Sequence, residues 1–451
     1  MSTTLDRPSA IPGPRGRWLG GSLRDFSADR LGFLTECSRK YGDVVTFRFA
    51  HRRMVLVNHP DLVEEVLVTR NRQFIKHFAL RIAKATLGNG LLTSEGDFWR
   101  SQRRLAQPAF HRERVAAHGA VMVELAGRML RGWADGQVRD VQDDMMRLTL
   151  EVVAKCLFDA DVSGDTAEAG AAMELLLRSF TARVGKLIRL PEFVPTPVNL
   201  RLGRAKRRLD RIIYEIIAAR RASGEDRGDL LSMLLHAQDA EGGGRGMTDL
   251  QLRDEAMTLF IAGHETTANT LAWIWLLLST HPEVEARLHA ELDAVLPDRP
   301  PTFDDLPRLA YTEHVVTEAL RLYPTVWLLG REAIEPTEVG GHPIAPGTTL
   351  YMSQWVIHRD PRFFDDPLAY RPERWENGLA RKIHRYAYFP FGGGPRICIG
   401  NAFSMMETTL LLATIAREFR PRVTHPARVV PLPTMTLRPA DGIEVVLEAR
   451  R

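Results

Sequence analysis

Residues 391–400 read Phe-Gly-Gly-Gly-Pro-Arg-Ile-Cys-Ile-Gly. One cysteine, Cys398, ends a glycine-rich run, with Arg396 two positions before it and Gly400 two after. The stretch that follows, Asn401 to Arg417, is rich in helix formers and reads as an amphipathic helix. Cys398 is therefore expected just ahead of a helix N-terminus, where unpaired N–H groups favour thiolate over thiol. The glycines let the backbone turn tightly and approach a flat ligand. A thiolate held in this way suits an iron atom. A lone cysteine without such neighbours is more often buried and inert. A phosphate loop is excluded, because no Gly-Lys-Ser/Thr follows the glycines.

A second constellation is Ala262-Gly263-His264-Glu265-Thr266-Thr267, set in a long apolar stretch. A buried helix does not carry an acid beside two hydroxyls without a reason. Gly263 permits another group to approach closely, and a threonine hydroxyl can bond a carbonyl one turn back. The plain reading is a polar patch on a water-filled gap. The functional reading is proton delivery by Glu265 and Thr266. His264-Glu265 does not begin a zinc-protease motif, since no second histidine follows at the required spacing. Three protein ligands for a catalytic zinc cannot be assembled from it.

Phe391, Gly394, Arg396, Cys398 and Gly400 together resemble the haem-binding loop of the cytochrome P-450 superfamily, in which the cysteine is the axial iron ligand. The 262–267 segment resembles that superfamily's oxygen-binding groove, with Glu265 and Thr266 at the acid and alcohol positions. Glu318 and Arg321, three apart on one helix face, match its Glu-x-x-Arg, and Pro372-Glu373-Arg374 matches its Pro-Glu-Arg segment. The resemblance implies a supporting triad of Glu318, Arg321 and Arg374, which as an exposed pair would mean little. It also implies haem b as cofactor. Trp99, Arg103, Arg331 and Arg396 are its candidates toward the haem carboxylates, which bidentate arginine suits. The motifs run in the expected order along nearly the whole chain.

What the resemblance implies is a mainly α fold with a smaller β part, haem lying between a long central helix and the cysteine loop. It implies one catalytic domain over 1–451, with a proline-rich, irregular segment at 1–18. The reaction is insertion of one oxygen atom from O2 into a lipophilic small molecule, by hydroxylation or epoxidation of a fatty acid, terpenoid or polyketide. Phe260, Ala262, Val326, Trp327 and Met435 fall at substrate-pocket positions. About fifty residues follow Cys398, too few for a fused reductase domain, so electrons are expected from a separate ferredoxin or flavodoxin with its reductase. An acidic partner would dock near Arg381, Lys382 and Arg385. Two alternatives remain: a haem-thiolate isomerase or dehydratase that does not use O2, and a non-enzymatic haem sensor. The acid–alcohol pair argues against both.

Composition sets the bounds. The 451 residues carry a net charge of +4 and 45% hydrophobic residues, ordinary for a globular protein. Arginines are dispersed, without a long basic run of the kind that binds nucleic acid. Three cysteines, Cys37, Cys156 and Cys398, do not form a disulfide framework, which fits a reducing cytoplasm. Residues 1–18 hold Pro8, Pro12 and Pro14 instead of a signal-peptide core. No membrane anchor is expected, and the protein is expected to be a monomer.

The elements that must position these groups can be read in outline. Val44 to Val57 alternates as a β-hairpin with a break at His51-Arg52-Arg53. Pro60 starts a helix. Phe74 to Leu92 reads as irregular and mobile, with Gly88 and Gly90. Helical patterning dominates 94–235, including Val141 to Phe158, Glu168 to Ile188 and Leu200 to Arg221, the last two split by three prolines in 190–197. Residues 241–246 form a glycine-rich turn. Thr248 and Gln251 have capping-box spacing ahead of a long helix ending at Pro282. Its middle, Leu259 to Leu278, should be buried. Residues 313–323 are a shorter helix, Arg331 to Val356 strands, His358 to Phe391 irregular, and 422–449 terminal strands.

Overall fold

A computed structural model of the chain describes residues 11–159, 172, 175, 194, 196–238 and 246–450. The segments expected at 168–188, 190–195 and 241–245, and the first ten residues, lie outside these apart from 172, 175 and 194. The chain divides into two compact units. The first comprises 1–81, 326–369 and 377–398, and the second 82–325, 370–376 and 399–451.

The first unit is built on a five-stranded sheet. Its spatial order is Val44–Phe49, Arg52–Val57, Thr349–Met352, Leu329–Ala333, Phe74–Lys76. Val44 pairs with Val57 and Arg48 with Arg53, so the hairpin turns at Ala50 and His51. The expected break falls one or two residues earlier than the sequence suggests. Ala50 adopts a positive φ of 52°, which frees Arg52 and Arg53 to join the strand. The β-branched residues of this hairpin pack with Val63, Val66, Phe74 and Leu350 into a core of their own. The strand reading of 331–356 ends at Met352. Ser353 caps a short helix, Gln354–Ile357, by accepting the Val356 N–H.

Phe74 to Leu92 is not irregular. It forms the strand Phe74–Lys76 and the helix Phe78–Leu87. Phe78, Ala79, Ala83 and Leu87 recur at helical spacing and are buried. The two glycines that suggested disorder lie beyond the helix end.

The second unit is organised on the helix Asp249–Thr280, 32 residues long, about 48 Å. Thr248 and Gln251 close a capping box at its start. The helix stops at Thr280, and Pro282 opens the next one, Pro282–Val295, where its missing N–H costs nothing. Burial runs almost all round from Leu271 to Leu278. Trp273 stacks on Tyr323 with ring centroids 4.3 Å apart and donates its indole N–H to the Leu437 carbonyl at 3.0 Å. The terminal strands Phe419–Val423 and Glu444–Ala449 pair antiparallel, joined by Val138–Asp140. Pro197 opens the helix Pro197–Ser223 behind a Thr196 cap, three residues ahead of the expected start at Leu200.

Glu318 and Arg321 sit on the helix Ala310–Leu322, both fully buried. Arg321 grips the carboxylate with two bonds of 2.9 and 2.8 Å. Arg374 donates to it at 2.8 Å, the Trp375 indole at 2.9 Å and the Arg371 backbone N–H at 3.1 Å. One carboxylate therefore fixes Arg371 and the 3-10 helix Pro372–Trp375 to the helix Ala310–Leu322, so the stretch expected to be irregular at 358–391 holds short helical turns. Glu318→Ala would strand two buried guanidinium groups. The expected cost is about 3–5 kcal/mol, read as a lowered urea midpoint; unchanged stability would make this cluster ornamental.

Candidate active site

The cysteine loop belongs to the first unit. The Cys398 N–H donates to the Phe391 carbonyl at 3.0 Å, and the Ile397 N–H to the Gly394 carbonyl at 3.1 Å. The Gly394 N–H donates to the Tyr386 hydroxyl at 3.1 Å. Gly394 has a φ of +64°, and a Cβ there would stand 1.9 Å from the Leu67 carbonyl oxygen. Only glycine permits both that conformation and that approach. The loop is thus tied at both ends and lies against the π-helical turn Glu65–Thr69. Gly400 is the N-cap residue of the helix Asn401–Glu418.

Cys398 is the exposed cysteine of the three. Burial pushes the Cys37 thiol up to about 11. It pushes Cys156 higher still, with the Glu407 charge adding to the effect. Both are held as closed, protonated thiols, whereas Cys398 presents its sulfur on a rigid backbone.

Arg331, in the strand Leu329–Ala333, is buried and donates to the Gly330 carbonyl at 3.0 Å. His77, half-buried beside it, is driven down to about 3 by desolvation and then by the Arg331 and Arg81 charges. The imidazole is therefore neutral beside the guanidinium. Arg396 is half-buried in the cysteine loop. Val326 is half-buried, and Trp327 is buried with its ring stacked on Phe26 at 6.5 Å. Trp327 is thus packed within the first unit's aromatic group.

The acid–alcohol segment belongs to the second unit. Along an otherwise buried helix, Ala262 is exposed and Gly263 and Thr266 are half-buried, whereas Ile261, His264, Glu265 and Thr267 are buried. The positions 262, 263 and 266 make one open strip on a face of the helix. Thr266 donates its hydroxyl to the Ala262 carbonyl at 2.6 Å, one turn back. Glu265 is 7% exposed and accepts from the Thr436 hydroxyl at 2.7 Å. Thr436 in turn accepts from Asn269, which accepts from Gln142 at 3.1 Å. His264 bonds the Met146 carbonyl through Nε2 at 2.9 Å. It is tied to the helix Val141–Phe158, and no metal-binding cluster occurs among the described residues.

Trp99 and Arg103 lie four apart on the helix Gly96–Ala106, Trp99 buried and Arg103 half-buried. Phe260 and Met435 are half-buried at the edge of the second unit's main apolar cluster, with Leu92.

The reading by motif misses a second buried acid. Glu407 is fully buried on the helix Asn401–Glu418, where Thr267 donates to it at 3.3 Å. Its signal in the sequence is an acid heading the apolar run Thr408 to Ala416. Asn269, and the bond from Thr436 to Glu265, also escape that reading, because a threonine and an asparagine carry no spacing signature.

The cysteine loop fits a haem iron: Cys398 offers an accessible sulfur on a backbone locked by hydrogen bonds. A sequence model of the cytochrome P-450 family matches residues 11–446. The cyclooctat-9-en-7-ol 5-monooxygenase of Streptomyces melanosporofaciens is 41% identical over 85% of this chain and 83% of its own. Cyclooctatin synthase of the same organism is 40% identical, covering 97% and 95%. Pentalenene oxygenase of Streptomyces avermitilis is 35% identical, covering 93% of both. The chain belongs to the cytochrome P-450 family, and its helix-rich architecture with small sheets is that family's fold. It is a monooxygenase that uses haem b. Among the described residues no helix is long and apolar enough to cross a membrane.

Burial drives the Glu407 carboxyl up to about 8, only partly offset by the Thr267 bond. Between pH 4.5 and 8 the folded chain keeps a proton that the unfolded chain has released. Stability must then fall as pH rises through that window, by on the order of 1.4 kcal/mol per unit from this group. Glu407→Gln should flatten the slope. Urea midpoints of wild type and variant at several pH values measure it; parallel curves would show that Glu407 does not titrate there.

Proposed function

We propose that the protein hydroxylates a cyclic terpenoid, and that residues 1–451 act as one catalytic domain. The observation that carries the mechanism is the open strip of Ala262, Gly263 and Thr266 on a buried helix, backed by the hydrogen-bonded Glu265. Two relatives named for terpenoid substrates and one named for a terpenoid product support the substrate class. The half-buried Phe260, Met435 and Leu92 are suitable apolar groups for such a ligand; Ala262, Val326 and Trp327 are proposed as further substrate-pocket residues. Any fold of this family admits many lipophiles, so the class rests on those names and on apolar lining together.

Cys398 would hold haem through its thiolate, and the bound haem would supply the redox chemistry for oxygen activation. The protein supplies position and protons. Trp99, Arg103, Arg331 and Arg396 are assigned to the haem carboxylates. Phe391, Gly394 and Gly400 hold the shape of the cysteine loop. Thr266 keeps a proton on Oγ1, engaged at rest by the Ala262 carbonyl; a rotation about χ1 turns that proton toward the open strip. Glu265 holds the next place in the relay, and its bond to Thr436 keeps it from swinging freely. Moving protons through hydroxyls lets the site stay largely dry, which prevents unproductive reactions.

Titration of the purified holoprotein with cyclic sesquiterpenes, cyclic diterpenes and straight-chain fatty acids tests the substrate class. The Soret band should shift with the terpenes and not with the fatty acids; the reverse result sinks the assignment. With the best ligand, Thr266→Ala should bind normally yet form several-fold less product per reductant, with hydrogen peroxide making up the difference. An unchanged ratio would remove Thr266 from the relay. Absence of O2 consumption by wild type with every ligand and donor would favour a sensor.

Electrons are proposed to come from a separate acidic ferredoxin or flavodoxin. Arg381, Lys382 and Arg385 are exposed in the unit that carries Cys398. Opposite charges steer such encounters, and salt weakens them. Reversal of these three charges should slow reduction several-fold at low salt and have little effect at high salt. Equal rates under both conditions would place the partner elsewhere.

A further inference from the structure

The first unit carries a half-open cavity of about 440 Å³ that the monooxygenase reading does not use. Arg15, Arg48 and Arg53 line it, over apolar walls that include Phe47, Val55 and Ile344. No acidic residue lines it. Beside the cavity the chain makes a tight turn, in which Arg17 and Gly21 exchange two backbone hydrogen bonds of 2.9 Å. The turn presents Trp18 and Leu19, 89% and 80% exposed. It is not loosely hung. The Ser22 N–H donates to the Arg48 carbonyl at 2.8 Å, and the Ala50 N–H to the Gly20 carbonyl at 3.0 Å. Gly21 has a φ of +60°, and a Cβ there would meet the Arg48 carbonyl at 2.2 Å. A rigid prong of two adjacent large apolar side chains therefore stands beside a cationic pocket.

Charge on this face is one-sided. Between residues 11 and 28 stand Arg15, Arg17 and Arg24 against Asp25 alone, and the hairpin 44–57 has three arginines and no acid. Among the described residues no carboxylate pairs with Arg15, Arg17, Arg24, Arg48 or Arg53, whereas Arg52 is stacked over Phe78. Tryptophan and leucine left in water are unfavourable, and a tryptophan flanked by arginines is the composition that settles at a bilayer surface. Guanidinium groups match phosphate oxygens by paired hydrogen bonds. An acidic protein would complement the charge, but an outward prong suits a soft, penetrable partner better than a folded surface.

We propose that this face docks on an anionic phospholipid surface. Trp18 and Leu19 enter the interfacial layer, and the cavity takes a lipid phosphate through Arg15, Arg48 and Arg53. The test is co-sedimentation of the full-length holoprotein with vesicles of phosphatidylcholine alone or mixed with phosphatidylglycerol. Each arginine engaged should favour the anionic vesicles by about fivefold at low salt. Trp18→Ser with Leu19→Ser should cut binding by about tenfold while the arginines remain. Arg48→Glu with Arg53→Glu should abolish the preference for phosphatidylglycerol. These are exposed side chains, and unchanged haem content and circular dichroism would show that the variants fold. Trp18→Phe should restore most of the binding. Equal partition onto both vesicles, or full binding by the serine variant, overturns the proposal. So does an outcome in which inorganic phosphate binds the cavity and no vesicle does, since the site would then be one for a free anion. Loss of reduction by an acidic ferredoxin in the Arg48/Arg53 variant, with vesicle binding intact, would assign the face to a protein.

Discussion

A helix that runs buried for most of its length can hold polar groups only where each finds a partner or an opening. That constraint shapes the second unit. Asp249–Thr280 carries Glu265, Thr267, Asn269 and Thr270 into the interior, and each is met from a different direction. Thr436 comes from the C-terminal segment, Gln142 from the start of a neighbouring helix, Glu407 from another, and Thr325 pairs with Thr270 at 2.9 Å. The position left open is Ala262, with the half-buried Gly263 and Thr266 beside it. The polar content of this helix thus divides into groups that pin the surrounding elements and a strip that stays available for chemistry.

The first unit meets a related constraint by backbone means. Its cysteine loop has few side chains with which to stabilise itself, so its shape is set by amide-to-carbonyl bonds and by glycines at positive φ. Close approach of the Gly394 position to the Leu67 carbonyl leaves no room for even a methyl group. Sulfur orientation is then a property of the surrounding scaffold and not of the cysteine's own rotamer alone, which is how a site is made precise.

Much of this was legible in the sequence where spacing carries physical meaning. The capping box at Thr248, the four-residue step from Ala262 to Thr266, and the three-residue step from Glu318 to Arg321 all predict which atoms can meet. What escaped was of two kinds. Local glycines overrode a good amphipathic pattern at 78–87, because Gly88 and Gly90 drew attention from the apolar spacing that precedes them. Long-range partners left no trace at all. Nothing about Thr436 says that it reaches Glu265, 171 positions away, and nothing about Glu407 says that its neighbour is Thr267. Trp375 and the Arg371 amide likewise join the Glu318 cluster by topology, although Arg374 could be named from its motif.

The burial of two cysteines has a practical side. Cys37 and Cys156 are closed off and held well above the ordinary thiol range, so neither offers a reactive thiolate at neutral pH. Cys398 is then the cysteine whose sulfur is exposed. Among the cysteines, thiol-directed oxidants and alkylating agents therefore have one address, and a sulfinic or sulfonic acid formed there is not reversed by ordinary thiols. Iron ligation and chemical damage therefore draw on the same atom, and a maleimide dye would report, by its stoichiometry, how many molecules keep that thiol intact.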